Sequence, residues 1–449
     1  MEEEATLAST EVRDLMEAGR IDEAAERLAA LHPADGADTL AHLDREERAA
    51  LIVAAPRENA ARFIEYLPDA LTKEIVEDID PARLADLLDE MDDDIAVDIL
   101  HQMPQERSSE VLGSMQRAGA IAPLLGHADE SAGGHMTRAF ISLHGGWTAQ
   151  RAIQYLRRVR PDADSAYYLY VVDSGGHLEG IVSLRDLIIA SPEAPLSEIM
   201  SPEVVSVRDD MDQEAMARLV QRYDLVALPV VDAENRLIGV VTVDDVLDVV
   251  EEEATEDIYK LAGIGVKARA LSPLRDSLQR RLPWLAVNGV VALMGAFVVS
   301  RFEDTIAKVA ALAVFMPVIA GQGGNAGVQT STIIVRALAL EEITIGDLLR
   351  VLIKEIELGV VKGLIFGSAL GLIAFAWQQN TTFALIAGGA MFLNMIVASM
   401  GGVLIPMTLR YGLKLDPATA AGVFDTMITD IMGFFIFLGL ATLLLDRLS

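Results

Sequence analysis

Residues 416–440 read Asp-Pro-Ala-Thr-Ala-Ala-Gly-Val-Phe-Asp-Thr-Met-Ile-Thr-Asp-Ile-Met-Gly-Phe-Phe-Ile-Phe-Leu-Gly-Leu, and the apolar character continues to Leu445. Asp430 lies in the middle of this stretch. A carboxylate at bilayer depth costs roughly 2.5–3.5 kcal/mol on insertion scales, so it needs compensation. A cation, a proton path or a buried basic partner would each provide it. On a helix, Thr419, Val423, Thr426 and Asp430 share one face, Asp425 is one position off that stripe, and Asp416 precedes it. Basic partners are scarce, because Arg336 and Lys362 sit near the ends of their own apolar stretches. That scarcity favours a cation site and leaves the other two readings open.

Working back from this stretch, five apolar runs follow Pro283: Trp284–Ser300, Val309–Leu338, Val351–Trp377, Phe383–Thr408 and Ala418–Leu445. Each is long enough, at about 1.5 Å per residue, to cross a hydrocarbon core of about 30 Å. The third opens with Lys354, Glu355, Glu357 and Lys362, so its first half is expected to face protein or water. Basic residues gather before the first run (Arg275, Arg280, Arg281), between the second and third (Arg336, Arg350) and between the fourth and fifth (Arg410, Lys414). The positive-inside rule then puts the large N-terminal part in the cytoplasm and the C-terminus outside, in a cell (inner) membrane. The start, Met-Glu-Glu-Glu, does not read as a cleavable signal peptide.

The chain carries 67 acidic and 36 basic residues, a net charge of −31. Only about 11 acidic and 9 basic residues follow Pro283, so the N-terminal part alone stands near −29. Such a surface repels nucleic acid and anionic headgroups and attracts cations. There is no cysteine, which excludes disulfides and thiolate metal sites, and all 7 histidines lie at or before His177. A zinc or copper path through the membrane part would lack its favoured ligands, whereas oxygen-seeking Mg²⁺ would not.

From 31 to 130 the pattern is short helices, each opened by a proline, as in His32-Pro-Ala-Asp-Gly-Ala-Asp-Thr-Leu and Asp80-Pro-Ala-Arg-Leu-Ala-Asp-Leu-Leu, with a helical segment over 1–30 ahead of them. Repetition of this kind predicts a small all-α superhelical repeat domain. Its run Asp89-Glu-Met-Asp-Asp-Asp94 reads as a solvated helix face or a divalent-cation site.

Between 131 and 250 the pattern becomes βαβ and occurs twice. Strands are predicted at Tyr167–Val172, Leu178–Ser183, Leu228–Val231 and Leu237–Val241, with helices from Leu184–Ile189 and Asp244–Val250. The two copies end on Gly180-Ile-Val-Ser-Leu-Arg-Asp186 and Gly239-Val-Val-Thr-Val-Asp-Asp245, and open on Met136-Thr137 and Met200-Ser-Pro202. These motifs resemble a tandem pair of CBS domains. That resemblance implies an adenine nucleotide such as ATP, with Ser183, Arg185, Asp186, Thr242 and Asp245 as the contacting residues. The competing reading is plain N-capping by Ser183 and Thr242. The acidic segment Leu247–Ala262 is predicted as a helix within a connecting region, 247–270, that leads to the membrane part, 271–449.

The second apolar run holds Pro317 and then Gly321-Gln-Gly-Gly-Asn-Ala-Gly327, a poor recipe for an unbroken helix. The expectation is an irregular stretch at bilayer depth that offers carbonyls and Asn325 to a passing ion, with close helix packing as the competitor. In the third run Gly359, Gly363, Gly367 and Gly371 form a ridge for a neighbouring helix.

Acidic helical repeats, a CBS pair, an acidic connecting helix and five apolar runs follow one another in that order. With Gly323-Gly-Asn-Ala-Gly-Val-Gln329, Glu252-Glu-Ala-Thr-Glu-Asp257 and Thr429-Asp-Ile-Met-Gly-Phe-Phe435, the whole chain resembles the MgtE family of magnesium channels. The resemblance implies a five-helix transmembrane pore domain, a homodimer in the lipid bilayer, and a pore at the two-fold axis. It implies that Asp430 holds hydrated Mg²⁺ and that Asp416 stands near the inner mouth; Gly323, Gly324, Asn325, Gly327, Asp425 and Thr426 are expected to line the path. It further implies that cytosolic Mg²⁺ closes the pore through Asp89, Asp93, Glu214, Asp224, Asp245, Asp248, Glu253, Glu256 and Asp257. Asp425 stands where the family pattern leads one to expect a small or apolar residue, and adds a pore carboxylate or faces a polar crevice. A proton- or sodium-coupled carrier and a membrane-tethered nucleotide sensor are the alternative functions. No constellation for catalysis stands out.

Overall fold

The computed structural model describes residues 2–161, 168–264 and 274–448. The chain divides into two compact units, Met1–Glu251 and Glu252–Ser449.

In the first unit, short helices run from Glu2–Glu17 to Ala118–Ile121. Their starts are fixed locally. Pro33 and Pro81 occupy the first helical turn, behind His32 and Asp80, whose side chains accept from Ala34 N and Ala82 N. Asp44 and Glu47 form a reciprocal capping box at the next start. Helices two places apart in the chain pack on each other, as a superhelix requires. Gly36 permits one such approach, since a Cβ there would meet the Phe63 ring at 2.3 Å. Buried Arg48 ties the turns together, donating to Leu40 O, Leu43 O and the Glu74 carboxylate.

Two three-stranded sheets follow. The first joins β1 (Ile141–His144), β2 (Tyr168–Val172) and β3 (Leu178–Ser183); the second joins β4 (Val207–Arg208), β5 (Ala227–Val231) and β6 (Leu237–Thr242). In each sheet the first pair is parallel and the second antiparallel. Residue 167, assigned to a strand from sequence, lies outside the described residues. The repeated motif glycines have a steric purpose. A Cβ on Gly180 would lie 2.7 Å from Met200 Sδ, and one on Gly239 would lie 2.5 Å from Met136 Sδ. The methionine that opens each copy therefore seats on the glycine of the other, which explains why the copies come as a pair. The repeat helices share one apolar core with the second sheet, through Met115, Ile121, Met136, Met216 and Val241.

The two helices predicted after β6 are one, Val243–Leu261. Residues 265–270 of the predicted connecting region lie outside the described residues.

The second unit contains five helices long and apolar enough to cross a membrane: Leu274–Ser300, Ala311–Ala339, Leu348–Gln378, Thr381–Met407 and Pro417–Leu443. We refer to them as the first to fifth spans. The second span corrects the sequence reading: it is a continuous helix through Pro317 and every glycine of 321–327. The glycines serve contact instead. A Cβ on Gly323 would meet Asn394 Nδ2 at 2.2 Å, and one on Gly327 would meet Asp425 Oδ2 at 2.7 Å. The glycine ridge of the third span behaves as predicted. Gly363 abuts Phe392 O and Gly367 abuts Gly388 O, at 2.8 and 2.7 Å from the positions their Cβ atoms would take.

Candidate functional site

The fifth span begins at Pro417, and Asp416 caps it by accepting from Ala418 N at 2.8 Å. Within the span, Thr426 donates to Gly422 O and Thr429 to Asp425 O, both at 2.9 Å, so these hydroxyls are satisfied by their own helix. Asp430 is half-buried, and among the described residues it belongs to no ion pair. A Cβ on Gly324 would lie 3.8 Å from Thr429 Oγ1, so the middle of the second span meets the fifth beside Asp430.

Asn325 and Gln329 are exposed on that part of the second span, while Gly323, Ala326, Gly327 and Thr330 turn inward. The unit thus displays Asn325, Gln329 and the half-buried Asp430 at mid-span, where lipid cannot hydrogen-bond them. This corrects two pore assignments, because Gly323 and Gly327 are packing positions. Asp425 is also off the outer face. It is fully buried between Gly327 and Gly401, and five residues separate it from Asp430, about 140° around a helix.

Beside the start of the fifth span, Lys260 of the connecting helix donates to Asp416 Oδ2 at 2.7 Å and pairs with Glu256. Burial opposes its charge, but hydrogen bonds to Asp416 and Glu256 outweigh that and hold the ammonium above the ordinary lysine range. Leu261 packs with Val335, Leu409 and Ala418, and its carbonyl lies 3.1 Å from where Gly422 would carry a Cβ. The last turn of the connecting helix therefore rests on the end of the second span and the start of the fifth. Lys260 was not anticipated; its only sequence signal was one cation in an acidic helix.

In the first unit the structure redistributes the acidic residues. Asp89 accepts from the backbone of Gln116 and Arg117 at 2.7 and 3.0 Å, and Asp93 is paired with Arg117. Both bond within the repeat domain. Asp94, next in the same run, is buried and close enough to Asp245 for their charges to act on each other. Burial first, then the charge of Asp245, pushes the Asp94 carboxyl well above the ordinary range. Burial likewise pushes Asp245 up to about 6, against hydrogen bonds from Thr242. Glu214 pairs with Arg218 at 2.7 Å, Asp224 closes its helix in a left-handed conformation, and Asp248, Glu253 and Asp257 lie along the connecting helix.

The proposed ribose contacts have N-capping roles here. Ser183 Oγ donates to Asp186 Oδ2 at 2.6 Å and accepts from Asp186 N, and Thr242 bonds Asp245 in the matching position. Arg185 is exposed.

Comparison with known proteins gives the family. Residues 316–440 match the family model MgtE, divalent cation transporter. Residues 31–130 match the MgtE intracellular N domain, and 132–193 and 196–252 match CBS domains. The magnesium transporter MgtE of Thermus thermophilus is 40% identical over 329 residues, which is 73% of this chain and 72% of that protein. The chain belongs to the MgtE family of magnesium transporters. The Bacillus subtilis magnesium transporter MgtE is 35% identical over 329 residues, 73% of each chain. Among solved structures, the cytosolic domain of the Mg²⁺ channel MgtE in complex with ATP aligns with a TM-score of 0.51 and 37% identity, covering 54% of this chain and 99% of that one. The soluble part of a magnesium transporter aligns equally well, at 0.51 and 31% identity, over 56% and 99%. As an MgtE protein with five spans the chain is a multi-pass membrane transporter, a kind of protein that is not an enzyme.

Proposed function

We propose that this MgtE protein is a Mg²⁺-selective channel for magnesium uptake, with its pore between two copies of the chain. The observation that carries this reading is the polar face of the second unit: Asp430 without a basic partner, beside Asn325 and Gln329, on the outside of a single bundle. Such a face is stable at bilayer depth against water or a second polar face. Two copies meeting there would give two Asp430 carboxylates along one wet path. Mg²⁺ sheds water reluctantly, so such a carboxylate pair selects by charge and by the size of the hydrated ion.

The positive-inside count supports a cytoplasmic N-terminal part and an external C-terminus, in an inner membrane. Regulation follows from charge: cytosolic Mg²⁺ is taken up by the acidic residues, with Asp94 and Asp245 as the leading pair. Glu214, Asp224, Asp248, Glu253, Glu256 and Asp257 are further candidate ligands. Bound Mg²⁺ offsets the repulsion among carboxylates and stabilises the compact state, in which the connecting helix sits on the inner mouth. Adenine nucleotide at Ser183, Arg185, Asp186, Thr242 and Asp245 is the second regulatory ligand, supported by the ATP complex of the homologous cytosolic domain.

Currents across a bilayer holding the purified protein, under opposed Mg²⁺, Na⁺ and pH gradients, test the proposal. The reversal potential should follow the Mg²⁺ gradient. A potential that follows H⁺ or Na⁺ would replace the channel with a coupled carrier.

A further inference from the structure

The carboxyl of Asp425 is 0% exposed, and neither oxygen has a hydrogen-bond partner. It is clamped between two helix backbones: Cβ atoms on Gly327 and Gly401 would lie 2.7 Å from Oδ2 and 3.0 Å from Oδ1. The amides of those helices are committed to their own ladders and cannot turn to it.

Counter-charge is equally scarce on every surrounding span. The fourth span has no titratable residue, and the second has only Arg336, which is exposed and nine residues beyond Gly327, roughly 13 Å along the axis. The fifth span adds only Asp430, on another face. The third brings Glu355, buried and accepting from Thr330 Oγ1 at 3.2 Å, while its Arg350 and Lys354 are exposed and Lys362 is seven residues further on. The first span carries Arg275, Arg280 and Arg281 near its start, and among the described residues none of them bonds the Asp425 carboxyl. An unpaired carboxylate taken out of water costs far more than a neutral acid, so isolation of this kind selects the protonated form.

We propose that Asp425 is a proton-binding site within the pore unit, and that the packing of the second, fourth and fifth spans is that of its neutral acid. Release of the proton to water leaves an anion in the clamp and loosens these contacts, which links conduction to pH. The link to conduction rests on the channel reading above; the proton site does not.

The test uses the full-length protein in lipid, as wild type, Asp425→Asn and Asp430→Asn. Infrared difference spectra should show a deuterium-sensitive protonated-carboxyl component, common to wild type and Asp430→Asn, that is missing from Asp425→Asn. As pH rises from 6 to 9, the thermal midpoint of wild type should fall relative to Asp425→Asn, and the pH dependence of Mg²⁺ flux should flatten in that variant. A protonated-carboxyl spectrum that Asp425→Asn leaves unchanged, or midpoints that run parallel across pH, would overturn the proposal. Should Asp425→Asn not yield folded protein, Gly327→Ala presses a methyl onto Oδ2 and should shift the band, and an unshifted band counts against the site. Loss of the band together with absence of any Mg²⁺ flux would sink the channel reading and uphold the proton site.

Discussion

Neutralising Asp94 should stabilise the first unit, although Asp94 is itself a native buried side chain. The reasoning starts from its neighbour. Asp245 is held at about 6, against an ordinary value of 3.8, with burial as the main cause. A gap of roughly two units corresponds to about 3 kcal/mol. Most of that is the burial of Asp245 itself, which Asp94→Asn leaves in place; removing a like charge buried beside it is worth about 1–3 kcal/mol. The sign follows from linkage. A carboxyl raised in the folded state contributes its full stability below about pH 4 and loses it as pH rises through about 6. At pH 7.5 the wild type therefore carries the burial of both carboxyls and their mutual repulsion, and Asp94→Asn, of the same shape, removes the share that belongs to Asp94. For a unit of this size that is roughly 2–10 °C in thermal midpoint. Bound Mg²⁺ would offset the same repulsion, contributing about 2.7 kcal/mol at a hundredfold excess over its dissociation constant. The assay is thermal unfolding of the purified full chain, with and without Mg²⁺, at pH 5 and 7.5. Asp94→Asn should melt higher than wild type at pH 7.5 without divalent cations, with a narrower gap at pH 5 and a smaller gain from Mg²⁺. A variant that melts lower at pH 7.5, or gains as much from Mg²⁺ as wild type, would refute the reasoning.

Two further outcomes follow from contacts. Lys260→Met removes a partly exposed ammonium shared by Asp416 and Glu256, so docking of the connecting helix should weaken by about 0.5–2 kcal/mol. Mg²⁺ flux at a high, fixed cytosolic Mg²⁺ concentration should then rise severalfold, and unchanged flux would remove the contact from gating. Gly367→Ala pushes a methyl to 2.7 Å from the backbone oxygen of Gly388, which cannot step aside, at a cost of about 1–3 kcal/mol. Gly389→Ala, with nothing within 4 Å, is the control and should be neutral or mildly stabilising in the same melting assay.

The parts of this fold that repeat were legible in the sequence. Prolines at helix starts, the doubled Gly-x-x-Ser/Thr motif and five apolar runs each impose a period, and period is set by local physics. Contacts between elements were not legible. Asp93 and Asp94 are neighbours in one acidic run, and which of them turns toward Asp245 depends on the rotation of a nine-residue helix against a sheet. The hint was Val97, buried three positions after Asp94 on an apolar stripe. The glycines of 321–327 misled because helix propensity measured in water ignores the close approach of Asn394 and Asp425 that they permit. Asp425 was visible as a charge, but its isolation appears only once Gly327 and Gly401 are seen on either side. Asp430 was legible because its cost in an apolar run needs no partner to be noticed.

Mg²⁺ flux into liposomes that hold either the wild-type chain or Asp430→Ala tests the central claim most directly. Wild type should admit Mg²⁺ down its gradient, and Asp430→Ala, folded and inserted to the same extent, should lose most of that flux. Equal flux through both would mean that the deep carboxylate does not face the ion path.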